Sequence, residues 1–299
     1  RTVKRVWKLA HERDLTTLSN FLQEREWEHV SFSGHLLEGR TWRLPRRYRK
    51  RIFLLRGVNG NGRGGDDLRG AVLQTANGFV YPVFHSDELP DQQFVEPLIR
   101  ELETGFGKVT TLMGVYEDVR AVEARISRRP HYAIDYDLLA YPQGGPLEPL
   151  RRRASGKALD IRPATLADLK ALLPLQEAYE REEVLLPGRS LNPGITTRVL
   201  HQSIERQLVL LASLQGRVVA KAATNARGGS YDQLGGVFTD REFRGRGFGT
   251  AVVAEITRMI LRQNRGVSLF VKKDNLAARR LYSGLGFAHV SDLRIIYYA

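Results

Sequence analysis

Short apolar runs and amphipathic segments alternate regularly along the second half of the chain. Runs rich in aliphatic and β-branched residues predict strands. They cover residues 159–162, 207–213, 217–224, 231–239 and 267–271, with closing strands over 287–298. Apolar residues that recur every three to four positions predict helices. These cover residues 165–175, 250–262 and 275–283. The order predicts an α+β fold with a mixed β-sheet flanked by helices.

The first half runs through nearly the same order of elements. Its strands are predicted over residues 52–55, 71–74, 79–84, 109–114 and 131–140, and its helices over 93–103 and 115–126. The pattern Asp-Leu-x-x-Leu begins at Asp14 and again at Asp168, an interval of 168 − 14 = 154 residues. The halves share negligible sequence identity, so the prediction of two copies of one fold depends on element order and spacing.

Residues 141–156 separate the two copies. Three prolines, three glycines and an Arg-Arg-Arg triplet make this segment a poor helix and a poor strand. We therefore expect a first domain over residues 1–142, a linker over 143–157 and a second domain over 158–299.

Composition and charge narrow the function classes only partly. The chain has no cysteine, which excludes disulfides, thiolate nucleophiles and Cys-ligated metals, and fits a cytoplasmic location. No metal site is expected, and no apolar run is long enough to span a bilayer. The net charge of +13 is spread through both halves and is weak evidence for any partner.

Residues 40–56 hold eight basic residues with Trp42 and Tyr48 between them, which could bind RNA or an acidic protein. A basic surface is the favoured interpretation, so nucleic acid is not the expected partner.

The segment Arg244-Gly-Arg-Gly-Phe-Gly249 stands between a predicted strand and a predicted helix. Closely spaced glycines let backbone N–H groups converge, and the helix dipole adds to them, so the turn suits a diphosphate. It has neither the Gly-Lys-Ser/Thr ending of a P-loop nor the G-x-G-x-x-G spacing of a dinucleotide fingerprint. An ordinary strand-to-helix connection stays the alternative.

A second segment follows at the end of the next predicted strand. Asn275 begins it, Ala278 and Tyr282 share one helix face at i, i+4 spacing, and Gly286 is expected to end the helix. The two segments, Arg244-x-x-Gly-x-Gly and Asn275-x-x-Ala-x-x-Leu-Tyr-x-x-x-Gly-Phe, resemble the motifs of the GNAT superfamily of acyl-CoA-dependent N-acyltransferases. The resemblance covers roughly residues 158–298. The run at 235–239 also looks like a subgroup of tandem acetyltransferases whose N-terminal domain is degenerate.

The resemblance implies two tandem GNAT-like domains and an acetyl-CoA-dependent N-acetyltransferase that moves the acetyl group directly to an amine. Strands 231–239 and 267–271 would splay apart to admit the pantetheine arm, and a backbone N–H near Val237 and Phe238 would stabilise the oxyanion. Tyr282 matches the general acid that protonates the departing thiolate, with a core-packing tyrosine as the alternative. Asn275 could equally be a helix cap. The cofactor-binding residues that the resemblance implies are Val237, Phe238, Thr239, Arg244, Gly245, Arg246, Gly247, Phe248, Gly249, Thr250, Asn275 and Ala278.

The general base is where the chain departs from the family pattern. Some members carry Glu on the strand before the glycine turn, and this chain has Gln233 there, which cannot take a proton. Asp232 points to the opposite face of the strand, so a water chain or an acceptor that arrives as a neutral amine would serve. A lone histidine such as His201 is more often structural. The candidates for holding a cationic acceptor, with a solvated acidic helix end as the favoured alternative, are Glu177, Glu180, Glu182 and Glu183.

The first copy lacks the chemistry of the second. Residues 84–92, where its glycine turn would lie, contain three acidic residues and no glycine, so this copy is not expected to bind the cofactor. The glycine-rich loop at 59–65 lies between strands and predicts a flexible hairpin. The acceptor, whether a small amine, a peptide N-terminus or a lysine, cannot be read from the sequence, and neither can the oligomeric state. A non-catalytic module that binds acyl-CoA or nucleic acid is the alternative function.

Overall fold

The computed structural model describes residues 4–37, 50–58, 64–85, 92–104, 108–148 and 159–298. The predicted linker from residue 149 onward, the basic stretch up to residue 49, the glycine-rich loop at 59–63 and the acidic segment at 86–91 lie outside the described residues. Contacts divide the chain into two compact units. The first comprises Arg1–Leu138 with Val290–Ala299, and the second comprises Leu139–His289.

The first unit is built on an antiparallel meander. Strands β1 to β4 pair in chain order, β5 is parallel to β4, and β12 is antiparallel to β5. The strands are β1 (Lys4–Leu9), β2 (Arg51–Val58), β3 (Gly64–Gln74), β4 (Phe79–Phe84), β5 (Thr111–Val115), β6 (Tyr132–Tyr141) and β12 (Ala288–Tyr297). The helices are α1 (Leu15–Gln23), α2 (Glu26–Leu37), α3 (Gln92–Glu103) and α4 (Tyr116–Glu123).

The second unit repeats this order. Strands β7 to β10 form an antiparallel meander, and β11 is parallel to β10. The strands are β7 (Leu159–Pro163), β8 (Val209–Leu214), β9 (Arg217–Arg227), β10 (Tyr231–Thr239) and β11 (Gly266–Lys272). The helices are α5 (Leu169–Tyr179), α6 (Pro193–Arg206), α7 (Phe248–Leu261) and α8 (Leu276–Gly284). Each unit therefore has a mixed sheet flanked by helices, and the predicted fold class with two copies of one fold is confirmed.

The last strand of the chain lies in the first unit. The predicted boundaries placed all residues from 158 to 299 in the second domain, whereas β12 pairs with β5 from Leu293–Val115 to Tyr297–Thr111. Ile296 is fully buried in the core of the first unit. In return, Leu139 and Tyr141 at the end of β6 pack in the core of the second unit. An apolar closing strand is compatible with either copy, so the sequence pattern cannot assign it.

Helix α7 supplies the centre of the second core. Val252, Val253, Ile256 and Ile260 are fully buried, as their spacing predicted. Burying each such side chain contributes about 1.5–3 kcal/mol, so the sheet holds the N-terminus of α7 firmly beside the end of β10.

Helix α6 has no counterpart among the predicted elements. Asn192 caps it by accepting a hydrogen bond from the backbone N–H of Ile195 at 3.1 Å, and Pro193 occupies its first turn. Only Thr196 and Leu200 are buried on it, while Ile195 and Val199 are exposed, so the apolar stripe is too narrow to predict a helix. In the part of the chain that the structure describes, no helix is long and apolar enough to cross a membrane.

Candidate functional site

The glycine turn joins β10 to α7. Gly245 (φ +76°) and Gly247 (φ +80°) adopt left-handed conformations that favour glycine, and a Cβ atom at either position would meet nothing within 4 Å. The first hydrogen bond into the helix runs from Ala251 N to Gly247 O at 2.9 Å. The N–H groups of residues 248–250 are therefore not used by the helix and point out of its N-terminus. The turn offers an open anion-binding surface made of backbone.

The side chain of Arg244 is already engaged. Its Nη2 atom lies 2.9 Å from Glu182 Oε2, and its Nε atom donates to Thr239 O at 3.1 Å. Burial acts to raise the pKa of Glu182, but hydrogen bonds from Arg244 and Arg241 hold that pKa below its usual value. The charge of Arg244 is countered within the protein, so backbone N–H groups are the main feature that the turn presents to an anion.

Strands β10 and β11 separate before they end. Their parallel pairing runs from Tyr231–Gly266 to Leu234–Leu269, and no later pair is registered among the described residues, although β10 continues to Thr239 and β11 to Lys272. On the other side of β10, Asp240 N donates to Val219 O at 2.9 Å. Backbone groups alternate along an antiparallel strand, so Phe238 turns its groups toward β9 and Thr239 turns its groups away from β9. Beyond Leu234, a gap therefore opens between β10 and β11.

A β-bulge bends β10 at this gap. Gly235 pairs with Ala223 and Phe238 with Lys221, so β10 carries one residue more than β9 over the same interval. Gly236 has a φ of +58°, and a Cβ on Gly235 would lie 1.7 Å from the Asn225 side chain. The two adjacent glycines are required by the bulge and by the close approach of β9.

Lys221 lies beneath the bulge. Its side chain is almost wholly buried, its Nζ atom donates to Gly236 O at 2.7 Å, and the same atom lies 4.6 Å from the centre of the Tyr179 ring. Burial lowers the pKa of Lys221 to about 7, against an opposing effect of Glu180. The sequence-based interpretation missed this residue, although a single lysine inside the apolar run Val-Val-Ala-Lys-Ala-Ala was a visible signal.

A cavity of about 200 Å³ opens beside Lys221 and Gly236. Helices α5 and α6 and strands β8, β9 and β10 form its walls. Residues that line it include Gln176, Tyr179, Glu180, Val199, Ser203, Lys221, Asn225 and Gly236.

Tyr282 is buried on α8 and packs edge-on against Phe287, with 5.8 Å between the ring centres. Burial raises the pKa of Tyr282, and the nearby Tyr179 and Glu183 raise it further, so the phenol keeps its proton at neutral pH. Gly286 (φ +93°) ends the helix as predicted, with Phe287 N donating to Tyr282 O at 3.1 Å.

Asn275 caps α8. Its Oδ1 atom accepts a hydrogen bond from Ala278 N at 3.1 Å, and Ala278 packs against the second core. The capping role that was one of the two interpretations of Asn275 is therefore present. The same contact occupies the backbone N–H of Ala278.

The candidate acids and bases on β10 and α6 are placed differently. Asp232 is fully buried and paired with Arg227 and Arg265, and Gln233 is also buried. His201 is exposed on α6, with its Nδ1 atom 3.2 Å from Glu205. Neither Asp232 nor His201 lines the cavity.

The acidic end of α5 is bound to the protein. Glu177 pairs with Arg181, Glu182 with Arg241 and Arg244, and Glu183 with Lys272. Glu180 accepts hydrogen bonds from Gln176 Nε2 at 2.9 Å and Thr196 Oγ1 at 2.6 Å. Each of the four carboxylates has a partner and is also partly exposed, so this acidic segment is both solvated and paired within the protein. Only Glu180 lines the cavity.

The equivalent place in the first unit is filled by side chains. Strands β4 and β5 pair only at Phe79–Thr111 and Val80–Leu112 among the described residues. At the end of β4, Phe84 N donates to the buried Asp118 Oδ2 at 3.3 Å, and Phe84 O accepts from Arg25 Nη2 at 3.1 Å. Both backbone groups of Phe84 are therefore satisfied within the unit.

Comparison with known proteins agrees with this architecture. A family model described as FR47-like protein matches residues 212–295, which include the glycine turn, Asn275 and Tyr282. This family model matches 84 of the 299 residues, all within residues 212–295. Among solved structures, it is similar to a tandem GNAT protein from the clavulanic acid biosynthesis pathway, at 14% identity and a TM-score of 0.59, over 100% of this chain and 98% of that one.

Two further GNAT structures are similar over the whole chain. One is a GCN5-related N-acetyltransferase from Sphaerobacter thermophilus, at 17% identity and a TM-score of 0.58, over 99% of this chain and 96% of that one. The other is a GNAT-family acetyltransferase from Colwellia psychrerythraea, at 14% identity and a TM-score of 0.55, over 98% and 99%. At these identities the similarity establishes the tandem GNAT fold. No curated protein matches the sequence significantly.

Proposed function

We propose that this protein is a member of the GNAT superfamily and an acetyl-CoA-dependent N-acetyltransferase with one active site per chain, in the second unit. The observation that carries the proposal is the stretch of β10 beyond Leu234, which pairs with no described residue of β11 and leads along the chain into the glycine turn. A peptide-like pantetheine arm has amide groups that can pair with the backbone along such a gap. The N–H groups of residues 245–250 suit the diphosphate.

In this proposal Val237 and Thr239 hold the arm through backbone groups, since Phe238 turns its own toward β9. The thioester supplies an activated acetyl group, and the acceptor amine forms a C–N bond to it while the C–S bond breaks. A backbone N–H at the bulge stabilises the negative charge on the carbonyl oxygen. Tyr282 gives its proton to the departing thiolate.

The remaining predicted cofactor residues have supporting roles in the proposal. Asn275 caps the N-terminus of α8 and so helps to fix the position of Tyr282 on that helix. The small side chain of Ala278 leaves room for the pantetheine arm beside α8. Arg244 and Arg246 border the turn, and Arg244 ties the turn to the end of α5 through Glu182.

A single active site follows from the contrast between the units. Asp118 and Arg25 occupy the backbone of Phe84 at the end of β4. A pantetheine arm would have to break the hydrogen bonds that the buried Asp118 carboxyl group and the Arg25 guanidinium make there, which is costly. We infer that the first unit has lost the cofactor site.

The absence of cysteine makes the direct test clean. A thiol reagent reports only released coenzyme A, because the chain has no thiol of its own. Acetyl-CoA is incubated with the protein and a panel of small alkylamines, amino acids, peptides with free N-termini and lysine peptides. We expect thiol release with at least one amine, together with a mass gain of one acetyl group on that amine. Binding of acetyl-CoA without turnover over the whole panel would instead favour a non-catalytic acyl-CoA-binding module.

A further inference from the structure

Lys221 combines a buried amine with an opening to the cavity. It lies in the middle of β9, where Val219, Ala220 and Ala222 are fully buried around it. A buried ammonium is stabilised only by the partners around it. Among the described residues, Nζ contacts one carbonyl, Gly236 O, and the face of the Tyr179 ring.

Among the described residues that line the cavity, the titratable groups beside Lys221 are Tyr179 and Glu180, and helix α6 contributes the uncharged Val199, Leu200 and Ser203. Tyr179 and Glu180 come from α5 and the turn that follows it, and strands β8 and β10 contribute apolar side chains and the Gly236 carbonyl. Glu180 already accepts two hydrogen bonds, from Gln176 and Thr196, so its charge is partly dispersed. Burial lowers the pKa of Lys221 to about 7 despite the opposing effect of Glu180. A large share of the Lys221 amine is therefore neutral at physiological pH, with a free lone pair.

Lys221 lies next to the bulge, close to the place where the proposed function puts the thioester. Its Nζ atom is hydrogen-bonded to Gly236, the residue immediately before Val237, and both Lys221 and Gly236 line the cavity. The proposed function places the thioester carbonyl beside Val237. Gln233 cannot act as a base, and Asp232 is held by two arginines.

We propose that Lys221 is the general base of the reaction and that the cavity beside it receives a small primary amine. This inference rests on the proposed function. As the acceptor nitrogen forms the C–N bond, it transfers one proton to Lys221 Nζ, the C–S bond breaks, and Tyr282 gives one proton to the thiolate. The proton on Lys221 then passes through solvent and restores Tyr282. The cavity volume of about 200 Å³ is below that of sites for drug-sized ligands, which fits one alkylamine group.

Three variants separate this role from a structural one. Lys221→Met keeps the length of the side chain and removes the amine. Lys221→Arg keeps a donor for Gly236 O but cannot lose its proton. Lys170→Met, at an exposed lysine of α5, is the matched control. Circular dichroism and coenzyme A binding establish that each variant is folded.

The first measurement needs no acceptor. The full chain is prepared with ¹³Cε-labelled lysine, and the nine lysines are titrated by NMR. We expect one resonance to titrate near pH 7 and to be missing from Lys221→Met. A Lys221 resonance that titrates near pH 10 would overturn the proposal.

The second measurement is the pH dependence of kcat/KM, calculated on the concentration of neutral amine because the proposed step starts from that form, with acetyl-CoA and the alkylamine of the panel that gives the fastest thiol release. The wild type should lose activity with unit slope below about pH 7. For Lys221→Met and Lys221→Arg, kcat/KM should be at least 100-fold lower and should not show this fall below pH 7. Lys170→Met should match the wild type. If Lys221→Met keeps the wild-type kcat/KM and its fall below pH 7, the general base is another group and the proposed function still stands. If no amine is acetylated by the wild type, both proposals fail.

Discussion

The Oδ1 atom of Asp232 lies 2.6 Å from Nη2 of Arg265, and the Asp232 side chain is fully buried. A second arginine, Arg227, approaches the same carboxylate at 3.2 Å. Arg265 also donates to the carbonyls of Gly228 and Gly229, both at 2.6 Å. Asp232 thus joins the β9–β10 hairpin to the start of β11, and this arrangement aligns the parallel pairs from which the two strands then separate.

Replacing Asp232 therefore tests a structural role against a chemical one. Asp232→Asn leaves Arg265 largely buried without its counter-charge, and we expect the free energy of unfolding to fall by about 3 kcal/mol. Turnover per folded molecule should stay unchanged. Urea unfolding and thiol release measure the two quantities. The control is Asp160→Asn, an exposed partner of Arg162 at 3.9 Å, which should cost less than about 1 kcal/mol. A folded Asp232→Asn protein without turnover would place Asp232 in the chemistry.

Tyr282→Phe removes the hydroxyl that would protonate the thiolate and leaves the packing against Phe287 intact. We expect kcat to fall by about 100-fold or more, since general acid catalysis contributes on that scale. The Kd of coenzyme A and the thermal midpoint should change little. Stopped-flow thiol release and calorimetric binding measure these effects. Unchanged kcat would remove Tyr282 from the mechanism and leave it as a core residue.

The first unit should carry a pH-dependent stability that depends on Asp118. Burial raises the pKa of this carboxyl to about 8, although the hydrogen bond from Phe84 N acts to lower it. An unfolded aspartate has a pKa of about 3.9. Between these values the folded state holds a proton that the unfolded state has released, so the free energy of unfolding falls as pH rises from about 4 to 8.

Asp118→Asn should remove this dependence. The free energy of unfolding of the variant should rise relative to the wild type by up to about 1.4 kcal/mol per pH unit between pH 5 and 8. Urea unfolding at several pH values gives the two curves, and exposed Asp67→Asn serves as the control. Parallel curves for the wild type and Asp118→Asn would contradict a protonated, buried Asp118.

Local patterns predicted the parts of the site that depend on neighbours in sequence. The glycines at 245 and 247, the cap at Asn275 and the helix end at Gly286 are each specified by backbone conformation within a few residues. The pairing of β12 with β5 in the first unit was not predictable, because the apolar alternation of β12 would suit the sheet of either unit. Lys221 was missed for a related reason. Its importance comes from contacts with Tyr179 and Gly236, which are distant in sequence and meet only in the fold.

The most direct test of the single site in the second unit is a calorimetric titration of the full chain with coenzyme A. We compare the wild type with Gly247→Val, whose side chain would project into the open surface of the turn, and with Gly144→Val. Gly144 has a similar positive φ of +68° with open space around it, and it lies outside the turn, so both variants carry the same kind of backbone strain. We predict one molecule bound per chain in the wild type and in Gly144→Val, and at least a tenfold weaker Kd in Gly247→Val. Two molecules per chain, no binding to the wild type, or equal affinity in a folded Gly247→Val protein would contradict the account.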